Sequence, residues 1–364
     1  MAEITPSLSP LARIVIVGVG GAGNNAINRM IKLGIRDVDF VAVNADAQDL
    51  AHCEAGKKVN IGKTSAKGLG AGGNPELGQR AAEESIEDIK ATIEGADMIF
   101  ITAGFGGGTG TGAAPIVAAA AKEMGILTVG VVTKPFTFEG PRRSRQANEG
   151  LERLRDSVDT IIVIPNDRVL ALGDKKTPLT EAFQAVDEIL RQGIAGISDL
   201  ITQPGLVNLD FADVRSVMHE GGRALMGIGF GDGENRAIEA ARQATDSPLL
   251  EMSIAGAKNI IYNIEGGTDL TLNEVEEAGR IISESADPEA HVIFGATIND
   301  ERTGGIKITV VAAGFSEEEE EEEKKVARSP LENLLGNRPG GTTGTPSSSS
   351  EEELEVPAFL RKPV

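Results

Sequence analysis

Through residue 165 the chain alternates short apolar runs with longer stretches of helix-forming composition. Arg13-Ile14-Val15-Ile16-Val17, Asp39 to Asn44, Met98 to Ala103, Ile126 to Val132 and Thr160 to Ile164 have strand length and mostly β-branched or aromatic side chains. Between them, residues 20–33, 76–94, 113–124 and 141–156 have helical character. Strands alternating with helices predict a parallel α/β sheet with its ligand loops at the strand C-termini. Residues 178–203 then read as one long helix. Leu179, Phe183, Val186, Leu190, Ile194, Ile197 and Ile201 recur at helical spacing, and Pro204-Gly205 stops it. Gly193 and Gly196 lie inside that helix, where glycine costs about 1 kcal/mol relative to alanine. They predict close packing against a neighbouring element.

A second, smaller α+β domain is expected over 204–315. Its β-type runs are Leu225–Phe230, Asn259–Ile264, His291–Ile298 and Ile306–Val311, separated by helical runs near 235–244 and 271–285. No glycine-rich ligand loop stands out in it. The first domain is bounded at 12–177, with residues 1–11 expected to be disordered. After Phe315 the composition changes: Glu317 to Glu323 is unbroken glutamate, and Gly336 to Ser350 is rich in Gly, Thr, Pro and Ser. Like-charge repulsion and missing apolar residues make 316–352 a flexible linker. Residues 353–364 regain apolar and basic side chains, as a docking peptide that orders on binding would. An ordinary frayed terminus has the same look.

At 364 residues the chain has room for two domains, and 40% hydrophobic content is ordinary for a globular protein. The longest apolar stretches have strand length or are rich in alanine and glycine, so no membrane insertion is expected. The N-terminus lacks the basic start and apolar core of a secretion signal. Cys53 is the single cysteine, which excludes an intramolecular disulfide and fits the cytoplasm. A formal charge of −20 argues against a nucleic-acid partner, which needs a basic surface.

The densest chemical signal is Gly106-Gly107-Gly108-Thr109-Gly110-Thr111-Gly112, between the strand ending at Ala103 and the helix from Ala113. Glycine lets backbone N–H groups converge on a ligand, and a helix start adds unpaired donors and a positive dipole end. The threonine hydroxyls can meet phosphate oxygens or a metal's water shell. The P-loop pattern is absent, because no lysine follows the glycines. Gly18-x-Gly20-x-x-Gly23 after the first strand matches a dinucleotide fingerprint, but the second strand ends in Asn44, with Asp46 beyond it. Together with Gly68 to Gly73, three glycine-rich turns suit a nucleoside triphosphate and metal better than a pyrophosphate.

Two spacings stay open on residues alone. Phe183 and Asp187 share a helix face. A core Phe beside a solvated Asp is the commoner meaning, and an aromatic face with a guanine-reading carboxylate is the functional one. Asp210 and Asp213 can orient water or help neutralise a metal, but a helix cap is the commoner source of Asp-x-x-Asp.

Taken together, the motifs resemble the tubulin/FtsZ family of cell-division GTPases over about 12–315. Besides the central heptad, they run in the family's order. They are Gly-Gly-Ala-Gly-Asn-Asn at 20–25, Asn-Ala-Asp-Ala-Gln at 44–48, Gly-Leu-Gly-Ala-Gly-Gly-Asn-Pro at 68–75, Pro-Phe-Thr-Phe-Glu-Gly at 135–140, Ile-Pro-Asn-Asp at 164–167 and Asn-Leu-Asp-Phe-Ala-Asp-Val at 208–214. The resemblance implies a Rossmann-like GTP-binding domain, a central helix and a C-terminal activation domain. GTP and GDP, with Mg2+ held mainly by phosphates and water, are the implied ligands. By motif match, Gly20, Gly21, Ala22, Gly23, Asn24, Asn25, Asn44, Ala71, Gly72, Gly107, Gly108, Thr109, Gly110 and Thr111 surround phosphates and ribose. Pro135, Glu139 and Arg143 lie near them, Asn166 and Asp187 read the guanine, and Phe183 packs on the base. Asn208, Asp210 and Asp213 would act on the GTP of the next subunit, so hydrolysis would require head-to-tail polymerisation into a filament. Residues 353–364 would bind membrane-tethering and regulatory partners at a cytoplasmic midcell ring. Ala45 departs from the threonine usual at its position, which removes one expected hydroxyl. The competing classes are a Rossmann-type NAD-dependent oxidoreductase and a relative without GTPase activity that regulates filaments. The carboxylates at 210 and 213 speak against the second.

Overall fold

The computed structural model describes residues 12–171, 178–202, 206–207, 209–247, 253–299 and 304–315. The expectations for 1–11, the linker 316–352 and the peptide 353–364 therefore lie outside the described residues. Ten strands form one sheet: β1 (Ile14–Val19), β2 (Val38–Asn44), β3 (Lys57–Asn60), β4 (Met98–Gly104), β5 (Leu127–Lys134), β6 (Thr160–Pro165), β7 (Gly222–Asp232), β8 (Asn259–Gly266), β9 (His291–Ile298) and β10 (Gly305–Ala313). Their spatial order is β3-β2-β1-β4-β5-β6-β7-β10-β8-β9. The pairs are parallel except those of β10, which runs against both β7 and β8. The two sequence-defined halves meet at β6 and β7, where pairing is limited to Thr160 with Gly222, Ile161 with Arg223 and Ile162 with Ala224.

The helices are α1 (Gly20–Lys32), α2 (Ala47–His52), α3 (Pro75–Glu84), α4 (Ile86–Ile93), α5 (Thr109–Glu123), α6 (Pro141–Arg155), α7 (Asn166–Ala171), α8 (Leu179–Thr202), α9 (Phe211–Met218), α10 (Arg236–Thr245) and α11 (Leu272–Glu284). Strand alternation divides them between two faces. On one face Val15, Val17, Ile99 and Ile101 pack with residues of α3 to α6. On the other, Ile14, Ile16, Phe100 and Val129 join α1, α8 and α9. That second core continues through Met226, Ile228, Ile261 and Ile293 of the C-terminal strands, so α8 covers both halves. A third core holds α10 and α11 against the opposite face of the C-terminal strands, through Ala240, Ala244, Ile260, Ile282 and Ile308.

Several elements differ from their sequence expectation, strand β3 and helix α7 among them, neither of which was anticipated. The helix expected over 76–94 is two, broken at Ser85. The buried Ser85 Oγ accepts the Gly62 N–H at 3.1 Å, tying this break to the neighbouring loop. Helices α2 and α9 are short and were not anticipated. Each is capped by the carboxylate before it, Asp46 accepting from Gln48 N–H and Asp49 N–H, and Asp210 from Asp213 N–H.

The glycines of α8 mark close approaches, as their cost implies. A Cβ on Gly193 would meet Met226 Sδ at 2.8 Å, and one on Gly196 would meet Thr309 Cγ2 at 2.8 Å. Gly196→Ala is therefore expected to destabilise the protein by about 1–3 kcal/mol through overpacking. Urea unfolding followed by circular dichroism measures the shift, and an unchanged midpoint would mean the helix can move away from β10.

Candidate functional site

The parallel strands end on one edge of the sheet, and there the loops enclose a cavity of about 620 Å³. Its floor is the start of α1 beside the start of α5. Gly20 opens α1 at φ +75°, and a Cβ on it would lie 2.8 Å from the Gly110 nitrogen. Any other residue would hold the two helix starts apart. Their unpaired N–H groups and positive dipole ends thus converge on one volume.

The glycines of the central turn divide their tasks. A Cβ on Gly108 would strike Ala71 Cβ at 2.7 Å, and one on Gly110 would strike the Gly104 carbonyl at 2.8 Å. A Cβ on Gly112 would overlap the Pro75 carbonyl of α3. These three let backbones pack. Gly107 alone in the turn has open space where a side chain would point, and it lines the cavity. Thr109 also lines the cavity, whereas Thr111 is fully buried and turned away. Its Oγ1 accepts the Gly106 N–H at 2.9 Å and so fixes the turn.

Among the other expected residues, Gly21, Ala22, Asn44, Ala71, Gly72, Pro135, Glu139, Arg143, Asn166, Phe183 and Asp187 line the cavity. Gly23, Asn24 and Asn25 do not. Gly23 packs under the Thr102 carbonyl, Asn24 is buried, and Asn25 faces solvent on the second turn of α1. Asn24 acts one step back. Its Nδ2 donates to Asp49 Oδ2 at 3.2 Å, and Asn44 Nδ2 donates to the same oxygen at 2.6 Å. Asp46 and Asp49 both line the cavity; the sequence reading names Asp46 only as the acid beyond the second strand and does not name Asp49. The signal was available: Asp46-Ala-Gln-Asp49 has the same Asp-x-x-Asp cap spacing as Asp210 and Asp213. Ala45 is fully buried, and its carbonyl accepts from Gly70 N–H at 3.2 Å.

Phe183 lines the far wall, and two further rings support it from outside the lining. Phe136 stacks on Phe138 at 5.0 Å and meets Phe183 edge-on at 5.3 Å. Phe183 is 44% exposed, so it is not the core residue its spacing favoured. Asp187 is not simply solvated either: burial pushes its carboxyl up to about 6, against a partial pull downward from the Arg29 charge. Asn166 is buried at the start of α7, and its Oδ1 has no hydrogen-bond partner. A buried, unpartnered carbonyl at a cavity wall fits a ligand N–H. Thr137 donates through both N–H and Oγ1 to Asp167, which ties the 135–140 loop to this wall. Glu139 accepts from Phe136 N–H and from Arg143, so the one guanidinium that lines the cavity among the described residues is already paired.

Asp210 and Asp213 do not line this cavity. Phe183 and Asp187 belong to the first turns of α8, and about 28 Å of helix separates Phe183 from Thr202 at its other end. Both carboxylates are exposed beyond that end. Asn208 lies outside the described residues. Among those described, no helix is long and apolar enough to cross a membrane.

Two family descriptions match the chain: Tubulin/FtsZ family, GTPase domain, over residues 13–174, and FtsZ family, C-terminal domain, over residues 222–316. An empty FtsZ dimer from M. jannaschii is 48% identical with a TM-score of 0.80, over 83% of this chain and 88% of that one. A point mutant of FtsZ from the same organism is also 48% identical at 0.80, over 84% and 91%. CetZ2 from Haloferax volcanii, solved as a GTPgS-bound protofilament, shares the fold at 23% identity and a TM-score of 0.72, over 89% and 99%.

Thr111→Val keeps the shape but leaves the buried Gly106 N–H unpaired, at a cost of about 1–3 kcal/mol. The expected result is a lower melting temperature together with weaker ligand binding. Weakened binding at unchanged stability would instead mean that Thr111 turns to meet the ligand.

Proposed function

The chain belongs to the tubulin/FtsZ family of GTPases, and from that premise we propose a filament-forming cytoskeletal GTPase whose active site is completed by a second copy of itself. The observation that carries this reading is the division of the chemistry. The cavity has helix starts, a glycine turn and the exposed ring of Phe183, but the carboxylates fit to orient water, Asp210 and Asp213, stand outside it. A neighbour presenting those carboxylates head-to-tail makes a heterologous contact that does not close, and so builds a filament.

Within one subunit, the backbone N–H groups of Gly20 to Ala22 and Gly107 to Gly110 would hold the phosphates. Phe183 would pack on the guanine, with the Asn166 carbonyl and the Asp187 carboxylate accepting from its N–H edge. Glu139 and Arg143 would lie along the ribose and phosphates. Positioning and electrostatics then supply most of the catalysis. Mg2+ fits this cavity on charge grounds. Among the described residues, Asp46, Asp49, Glu139 and Asp187 line it with Arg143 as the one cationic side chain, so an anionic triphosphate calls for a cation beside it. Thr109 and the two carboxylates of the 46–49 turn are the groups able to meet the ion's water shell. When bound, the ion would neutralise charge on the phosphates. We place the protein in the cytoplasm at a midcell division ring, recruiting membrane tethers and regulators through 353–364.

Asp210→Asn preserves a capping oxygen on α9, so it separates chemistry from folding. It should retain GTP binding and lose nearly all turnover, while wild-type turnover should rise more steeply than linearly with protein concentration near the assembly threshold. Full activity in the variant, or strict proportionality in the wild type, would sink the shared site. Asp187 sets the pH response. Its acceptor form requires loss of a proton held to about 6, so affinity for GDP should fall as pH drops below 6, by about tenfold at pH 5. Asp187→Asn should bind more weakly at neutral pH and lose that slope. Titration calorimetry at several pH values reads both.

A further inference from the structure

Helix α9 carries both carboxylates assigned to the neighbouring subunit's site, Asp210 at its cap and Asp213 in its first turn. Its far end is held by a compact group of bonds at the start of β6. Thr160 Oγ1 donates to the Met218 carbonyl at 2.5 Å. His219, directly after the helix, places Nδ1 3.0 Å from Asp159 Oδ1. Asp159 is buried at 4% exposure, and its other oxygen accepts the Thr128 N–H of β5 at 2.9 Å. Its carbonyl accepts the Gly222 N–H at 3.0 Å. A carboxylate oxygen only accepts, so the imidazole donates from Nδ1. The turn that follows is forced: Glu220 sits at φ +53° without being glycine, and a Cβ on Gly221 would meet Thr160 Oγ1 at 2.6 Å. Backbone in that region persists only where its surroundings over-determine it.

The other end of the segment is tied elsewhere. Leu206 N–H donates to the Ala296 carbonyl at 2.9 Å, and Ala296 N–H donates to the Val207 carbonyl at 3.3 Å, on β9. The Asp210–Asp213 stretch is thus strung between the C-terminal strands and the start of β6. Strands β5 and β6 lead at their opposite ends to Thr133, Pro135 and Asn166 of the cavity.

We propose that His219 is a positioning residue for GTP hydrolysis: its bond to buried Asp159 fixes the far end of α9, and so sets where Asp210 and Asp213 stand in the neighbour's site. This rests on the shared-site reading above. A carboxylate held about 1 Å away from its productive place costs on the order of 100-fold in rate, whereas loss of an exposed imidazole leaves the cavity unchanged.

The test uses the full chain. His219→Ala should bind GTP as tightly as wild type and still sediment with GTP, but turn over at least tenfold more slowly. His219→Asn offers an amide N–H near the Nδ1 position and should recover most of the rate. The decisive readout is mixing. His219→Ala has an intact cavity and a displaced α9, while Asp187→Ala has an impaired cavity and an intact α9. Mixed, they should recover turnover at the contact where Asp187→Ala presents its carboxylates to the GTP of His219→Ala. Asp213→Ala mixed with Asp187→Ala is the reference pair. Recovery in the reference pair but not with His219→Ala overturns the positioning role, since the defect would then lie in that subunit's own cavity. Recovery in neither pair removes the shared site itself, and this inference with it. Wild-type turnover in His219→Ala alone also overturns it.

Discussion

The buried face of α8 is the interaction on which the rest of the molecule depends. Val186, Leu190, Ile194 and Ile197 belong to one core that includes Ile16 and Phe100 of the first strands and Ile261 and Ile293 of the last. Only three residue pairs join β6 to β7, so the sheet's halves are held together mainly by this shared apolar layer. Its cost in glycine at 193 and 196 follows: the helix must lie close enough to Met226 and Thr309 to seal both halves at once. The same helix brings Phe183 and Asp187 to the cavity at one end and leads toward Asp210 at the other. One rigid element therefore runs from the cavity wall to the segment that carries Asp210 and Asp213.

The cavity works without the lysine of a P-loop. Helix starts and backbone donors supply fixed partial charges at its floor. Such preorganised dipoles need little rearrangement as charge develops. That is why so many glycines in the turn serve packing. Gly108, Gly110 and Gly112 bring the 71–74 loop, β4 and α3 into contact.

Much of this was legible in the residues. Strands of β-branched side chains and a helix of regular apolar spacing are signals that tertiary packing reinforces, and every strand read from them is present. The elements that escaped are those whose signal is polar and short. Helices α2 and α9 hold too few apolar positions to show a period, and they declare themselves only through an Asp cap. Ser85 breaks a helix because its hydroxyl serves Gly62, a residue far away in sequence. Spacing placed Phe183 and Asp187 on one face but could not tell core from cavity, because that depends on the arrival of Phe136 from another loop. Of the residues that the motif resemblance singled out, Gly107 lines the cavity and Thr111 does not, a difference that the motif itself does not carry.

The distribution of the cores along the chain has a consequence for synthesis. Every residue of the core shared with α3 to α6 precedes Val163 or is Val163 itself. That face of the sheet can close while the ribosome is still adding α8. The opposite face, with Ile14, Ile16, Phe100 and Val129, has to wait for residues as distant as Ala313. Domains form as their chain emerges, and exposed apolar strands in a half-finished one invite aggregation. The nascent protein therefore passes through a stage in which one side of its nucleotide-binding half is finished and the other is bare. The arrival of α8 begins to cover that face, and the last strand, with Val311 and Ala313, completes it.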